Sequence, residues 1–400
     1  NFGIINADRQ KLTRKEFHMI NFKVGIMGAG KIAGVIADTL KDLDAFEAYA
    51  IASRDTEKAA AFAKEHGVTK YYGSYEELVA DPDVELIYIA TPHSHHAEHA
   101  KLCLNAGKPV LVEKAFSYNA ATTEEVLNLA KEKNLFCGEA MWIRFMPMYR
   151  LMAEYIQKGA IGRVNNITCS LGYSLLREER LTKPELAGGA LLDLGVYPLN
   201  LISMIYGSEP PMIGSTCAKL DTGVDAQEAL QISYKGGRCA NAFVTMMYQP
   251  DNNAKIYGDR GYIEIDNINC PETFRIYNQD HKLVLETKKP DKQTTGYEFE
   301  FIAARDAIIV GQTECPEMPH AETLRIMQIC DSLRNTWQIK CRTFIGNFQS
   351  TDITFIQPVC GWNKVHLQLG SVGIVRKYKW LVIVNGQMHG SEIFTTIIIV

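Results

Sequence analysis

Lys114, Asp193 and Tyr197 are the residues whose types could carry proton chemistry. Lys114 closes the stretch VLVEK, Val110 to Lys114, in which apolar residues suited to a buried strand run directly into an acid and a base. Asp193 and Tyr197 lie four apart in GGALLDLGVYPL, so at the start of a helix they share a face. Pro198 is tolerated only in a first turn, which places that start near Asp193. A tyrosine, with an ordinary pKa of about 10, becomes a useful acid or base when a cation lowers that value, and Lys114 is a suitable cation. The bland reading of the same residues is a buried tyrosine with a capping aspartate, and an ion pair in solvent at a strand end.

A second set of residues points to a dinucleotide. Gly28-Ala29-Gly30-Lys31-Ile32-Ala33 has the form G-x-G-x-x-A. Gly28 permits a tight turn, Gly30 lets the backbone approach a pyrophosphate at the helix N-terminus that Lys31 and Ile32 open, and small Ala33 allows close helix-strand packing. Ser53 and Arg54 end the next strand pattern, where NAD binders usually place an acid; serine and arginine suit a 2′-phosphate instead, so NADP is favoured, with NAD possible and Asp55 weighing against. Thr91 and Pro92 begin TPHSHHAEH, which holds His93, His95, His96 and His99. These histidines follow a strand end and straddle a helix start, so no metal site is expected, and one of them is expected to face the cofactor edge. Glu113 and Lys114 end another strand at that edge, and Trp142 and Arg144 follow the next one, where an aromatic and a cation could wall a pocket.

The elements that must position these residues fall into blocks. From residue 19 to 140, continuous apolar runs (FKVGIM, FEAYAIA, VELIYIA, PVLVE) alternate with amphipathic helical patterns. That predicts an α/β, Rossmann-like, doubly wound parallel sheet. From 141 to 340, alternating segments such as GRVNNITCSLGYS, QEALQISYKGG, RCANAFVTMMY and NAKIYGDRGYIEIDN predict an α+β domain with a largely antiparallel sheet. Helices would cover one face of that sheet and leave the other open, a candidate dimer surface. Residues 1–18 are expected to be an extension outside the fold, and 341–400, with bare apolar runs and no convincing helix, a segment foreign to it.

Composition sets the class of partner. The chain is 46% hydrophobic and 22% charged with a formal net charge of −4, so no overall field gathers nucleic acid or anionic lipid, and a small molecule is the expected partner. No run of 18 apolar residues suggests a membrane span. The ten cysteines are scattered singly without a CxxC pair, the pattern of reduced thiols, and a cytoplasmic location is the default expectation.

Taken in order, Gly28-Ala29-Gly30 with Ala33, ATPHSHH, EKA after an apolar strand, EAMWIRF and GGALLDLGVYPL resemble the Gfo/Idh/MocA oxidoreductases, within them the dimeric dihydrodiol dehydrogenase and NADP-dependent D-xylose 1-dehydrogenase group. The resemblance runs from about residue 22 to 340. It implies that Lys114 is the lysine of a Glu-Lys-Pro signature, that Tyr197 holds the acid/base position with Asp193 in support, and that His96 and Trp142 line the substrate pocket. It also implies a nicotinamide cofactor, a sugar, polyol or trans-diol substrate, and a homodimer or higher homo-oligomer built on the second sheet. The signature proline is replaced by Ala115, which leaves Lys114 in place but loosens the local backbone. A cofactor-binding regulator would need no Lys114 and Tyr197, and an NAD-dependent glycosidase on the same fold would show no net turnover of cofactor.

Overall fold

The computed structural model describes residues 21–291 and 293–339; the expected extension 1–18 and tail 341–400 lie outside them. Six parallel strands form the first sheet: Phe22–Met27 (β1), Phe46–Ala52 (β2), Lys70–Tyr72 (β3), Leu86–Ile89 (β4), Val110–Glu113 (β5) and Cys137–Ala140 (β6). Their order is β3-β2-β1-β4-β5-β6. The intervening helices are Lys31–Lys41 (α1), Thr56–His66 (α2), Tyr75–Ala80 (α3), His96–Asn105 (α4) and Ala120–Lys133 (α5).

The continuous apolar runs have a physical cause. Alternate residues of each strand point to opposite faces, and both faces are covered. Val24, Ile26, Leu86 and Tyr88 enter one core, whereas Met27, Ile87, Ile89 and Val112 enter the other. Strand order reverses between β1 and β4, and the crevice beyond their carboxyl ends is where such sheets bind ligands. Two elements escaped the strand pattern. β3 is only three residues long, and α3 is short, although Ser74 and Glu77 form the reciprocal capping box that marks its start.

The second sheet has eight strands: Val164–Gly172 (β7), Met212–Lys219 (β8), Asp225–Ser233 (β9), Cys239–Thr245 (β10), Ala254–Gly258 (β11), Gly261–Ile265 (β12), Thr273–Asn278 (β13) and Leu283–Lys288 (β14). They run β14-β13-β12-β11-β7-β10-β9-β8, antiparallel except for the central pair β7 and β10. β8 was not expected, because MIGSTCAK carries little β-branched or aromatic bulk. The longer helices of this half are Pro147–Gln157 (α6), Val196–Tyr206 (α7), Glu298–Ile309 (α8) and His320–Thr336 (α9).

One face of this sheet buries Ile167, Leu230, Ile232, Val244 and Ile256, and α7 packs against β7 there. The opposite face presents Thr168, Ala229, Gln231, Asn241 and Phe243 around a shallow concavity. Among the described residues, one helical stretch, Pro184–Tyr206, is long and apolar enough to cross a membrane, and its most apolar part is mostly buried inside the fold, as a core element is. α9 packs on α5 as well as α7, tying the two sheets' helices together.

Candidate active site

The turn after β1 has the shape a dinucleotide needs. Gly28 sits at φ +104°, and a β-carbon on it would press against the Ala90 carbonyl oxygen at 3.1 Å. Gly30 caps α1 with extended backbone and no side-chain hydrogen bond, so the first amides of the helix, those of Lys31 and Ile32 among them, are not capped by a side chain. A β-carbon on Gly30 would meet no protein atom within 4 Å. Packing therefore does not explain that glycine, whereas a phosphate resting on the helix N-terminus does.

The end of β2 fits the adenosine half. Ser53 is buried, and its hydroxyl accepts the Asp55 amide at 3.3 Å. The Asp55 carboxylate accepts the Lys58 amide at 3.1 Å through Oδ1 as the N-cap of α2. Arg54 is exposed, and its charge acts on Tyr75. Thr91 lies two residues beyond β4, followed by Pro92, and its hydroxyl meets His99 Nδ1 at 2.9 Å. Lys31 Nζ reaches across to Glu178 Oε1 at 2.6 Å, spanning from the glycine turn to the second half of the chain.

Lys114, Asp193 and Tyr197 do come together. Lys114 Nζ donates to Asp193 Oδ1 at 3.1 Å and to the Asp193 carbonyl at 2.8 Å, and lies over the Tyr197 ring, 5.1 Å from its centroid. Arg180 Nη1 donates to the same carboxylate at 3.0 Å, and His93 Nε2 stands 3.9 Å from it. Burial opposes ionisation of Asp193, but Lys114 and then Arg180 outweigh it and hold the carboxyl well below its usual range.

Leu191–Gly195 is a π-turn leading into α7, with the Val196 amide donating back to the Leu191 carbonyl, so the pair four apart does not begin an ordinary α-helix as expected. Lys114, next to the Ala115 that stands in place of the signature proline, has its ammonium held by its two bonds to Asp193, and the Lys114–Ala115 peptide is cis.

A second correction concerns Tyr197. Burial, then the negative charges of Glu113 and Asp193, push its pKa well above 10. The Lys114 ammonium faces the ring and is neutralised by Asp193, so it does not produce the lowered pKa expected. The Trp142 indole N–H favours the ionised hydroxyl but makes no hydrogen bond to it. Glu113 is turned inward: it accepts the Tyr88 hydroxyl and the Lys114 amide, and burial pushes its pKa up.

Trp142 stacks on Tyr297, with centroids 4.1 Å apart and planes at 10°, and forms a wall beside Tyr197. Arg144 is not brought to the site. Its guanidinium donates to the Glu317 carbonyl at 2.8 Å, Asn200 Oδ1 at 2.9 Å and Glu322 Oε1 at 3.2 Å, a buried network between α7 and α9. His96 does not line an open pocket either. It is fully buried, with its ring nitrogens 2.6 Å from the Thr91 carbonyl and 2.8 Å from the Ala115 carbonyl, bracing the ends of β4 and β5 against each other. His93 is the histidine that faces Asp193. It, Arg180 and Tyr297 were missed among the site residues, and only the position of His93 in TPHSHH offered a signal.

Burial lowers the pKa of His96 from 6.5 to about 4. The unfolded chain takes up a proton as pH falls from 6.5 to 4 and the folded chain does not, so stability drops across that window, by roughly 3 kcal/mol for this group. The His96→Gln variant is expected to be less stable at pH 7 but to lose less melting temperature between pH 7 and 4.5 than the parent, measured by scanning calorimetry.

Comparison with known proteins agrees with this geometry. Residues 22–140 match the oxidoreductase family with an NAD-binding Rossmann fold, and residues 149–264 match the GFO/IDH/MocA C-terminal domain. A trans-1,2-dihydrobenzene-1,2-diol dehydrogenase of Xenopus tropicalis is 35% identical over 316 residues, 77% of this chain and 96% of that protein. One of Bos taurus is 33% identical over 318 residues, 78% and 95%. Among solved structures, a 3-ketoreductase from Actinomadura kijaniata in complex with NADP and TDP-benzene superposes with a TM-score of 0.71 at 24% identity, covering 79% of this chain and 97% of its own. An aldose-aldose oxidoreductase from Caulobacter crescentus complexed with glycerol gives 0.72 at 20%, covering 80% and 98%. A parallel sheet ending in a glycine turn fit for a pyrophosphate, an open-faced second sheet and these matches place the chain in the Gfo/Idh/MocA family, as an NAD(P)-dependent oxidoreductase.

Proposed function

We propose that this protein uses NADP to interconvert a secondary alcohol and a carbonyl on a sugar, polyol or trans-dihydrodiol. The observation that carries the reading is the meeting of Lys114, from the end of β5, with Asp193 and Tyr197, from the other half of the fold. The dihydrodiol dehydrogenase relatives support the substrate class. The nicotinamide cofactor, when bound, supplies or accepts the hydride.

An ammonium has three N–H donors. Two are engaged by Asp193, and the third is assigned to the substrate oxygen, where it stabilises developing negative charge. Tyr197 is firmly protonated, which suits it to donate to that oxygen during reduction, its proton then being replaced from solvent; to act as base during oxidation it must first lose that proton to solvent. Asp193 aims Lys114 through two hydrogen bonds, and Trp142 with Tyr297 excludes water from one side. Ser53 and Arg54 are assigned to the 2′-phosphate, a reading supported by the engagement of Asp55 as a helix cap.

The open face of the second sheet is assigned to a second copy of the chain. It is a broad strand surface whose opposite side alone carries the core, and the resemblance to dimeric relatives supports a homodimer.

NADPH absorbance in the presence of aldoses and trans-diols tests the reading directly. Lys114→Met is expected to lower kcat at least about 10³-fold while NADP still binds in a fluorescence titration; an active variant overturns the assignment, and a parent that holds cofactor without net turnover favours a glycosidase. Arg54→Ala is expected to weaken NADP about tenfold and leave NAD nearly unchanged, read as separate KM values for the two cofactors. Phe243→Asp on the open face is expected to convert a dimer to monomer in sedimentation velocity, and an unchanged sedimentation coefficient would place the interface elsewhere.

A further inference from the structure

His95, Glu98 and His99 are not used by the chemistry above. His93 and His96 turn inward, His93 to Asp193 and His96 to the Thr91 and Ala115 carbonyls. The other two differ. His95 is the residue before α4, and Glu98 and His99 follow at i+3 and i+4, so all three share one face of its first turn. We propose that His95, Glu98 and His99 bind a divalent transition-metal ion of the zinc class.

Their ligand atoms all lie within 4.8 Å of one another, with His95 Nδ1 3.7 Å from Glu98 Oε2. The two imidazoles are stacked, centroids 5.6 Å apart and planes at 20°. Tetrahedral zinc with bonds near 2.1 Å sets its ligands about 3.4 Å apart, so closure is short, and Glu98, whose side chain is 77% exposed, has the freedom to make it. Exposure of Glu98 and His95 also leaves room for water as a further ligand.

His99 is prepared for this role. Thr91 Oγ1 holds its Nδ1 at 2.9 Å and Tyr75 packs against the ring edge-on, so the ring is oriented and Nε2 is the nitrogen left to coordinate. Arg54 opposes a cation here through its charge on His99, and the Glu98 carboxylate offsets it.

The test is isothermal titration of ZnCl₂ into the full chain, stripped with a chelator and kept reduced. One equivalent is expected to bind. His95→Ala, an accessible change that leaves the core intact, is expected to weaken it at least tenfold, and Thr91→Val, which removes only the orienting hydroxyl, about tenfold. The ten cysteines are the competing ligands. Absence of stoichiometric binding overturns the proposal, and so does a His95→Ala/His99→Ala double variant that retains the full equivalent, since the ion would then sit on thiols.

Discussion

The ion pair between Lys114 and Asp193 is the interaction on which the site depends. Both groups are largely buried, and neither charge could remain there alone, because an unpaired buried ion costs several kcal/mol. The pair also crosses between the halves of the fold: Lys114 belongs to the parallel sheet and Asp193 to the segment that packs on the antiparallel one. Forming the pair and docking the two sheets are therefore one event. Arg180 adds a second cation to the same carboxylate from a more exposed position, so Asp193 stays ionised with Lys114 still free to offer a proton donor outward.

Two carboxyl groups flank Lys114 and meet opposite fates. Asp193 is held ionised by cations, whereas Glu113, hydrogen-bonded to Tyr88 and sunk among apolar neighbours, is pushed towards its neutral form. Environment, rather than residue type, assigns one to balance the lysine and the other to brace its backbone. The same holds for the histidines: His93 and His96 are both buried, and the partner each meets, the Asp193 carboxylate or backbone carbonyls, sets its part.

Much of the fold was legible because continuous apolar runs can arise only where both sheet faces are covered. β3 and β8 were not, since three residues carry no period and MIGSTCAK lacks the side chains that announce a strand. In the site, Gly28, Gly30, Lys114, Asp193 and Tyr197 were legible from residue type and placement. Arg144 was not: an arginine after a strand end suits a pocket as well as a buried network, and its carboxylate partner Glu322 lies 178 positions further along the chain. Tyr297 and Arg180 likewise reach their places only through tertiary packing.

The π-turn at Leu191–Gly195 makes the site a matter of residue count as well as residue type. A turn with one residue too many shifts the angular phase of everything after it by about 100°. Tyr197 faces Lys114 because that extra residue is there. The side chains of this segment other than Asp193 can be exchanged while the phase persists, but removing a single residue would rewind it as ordinary helix and swing the tyrosine to another face.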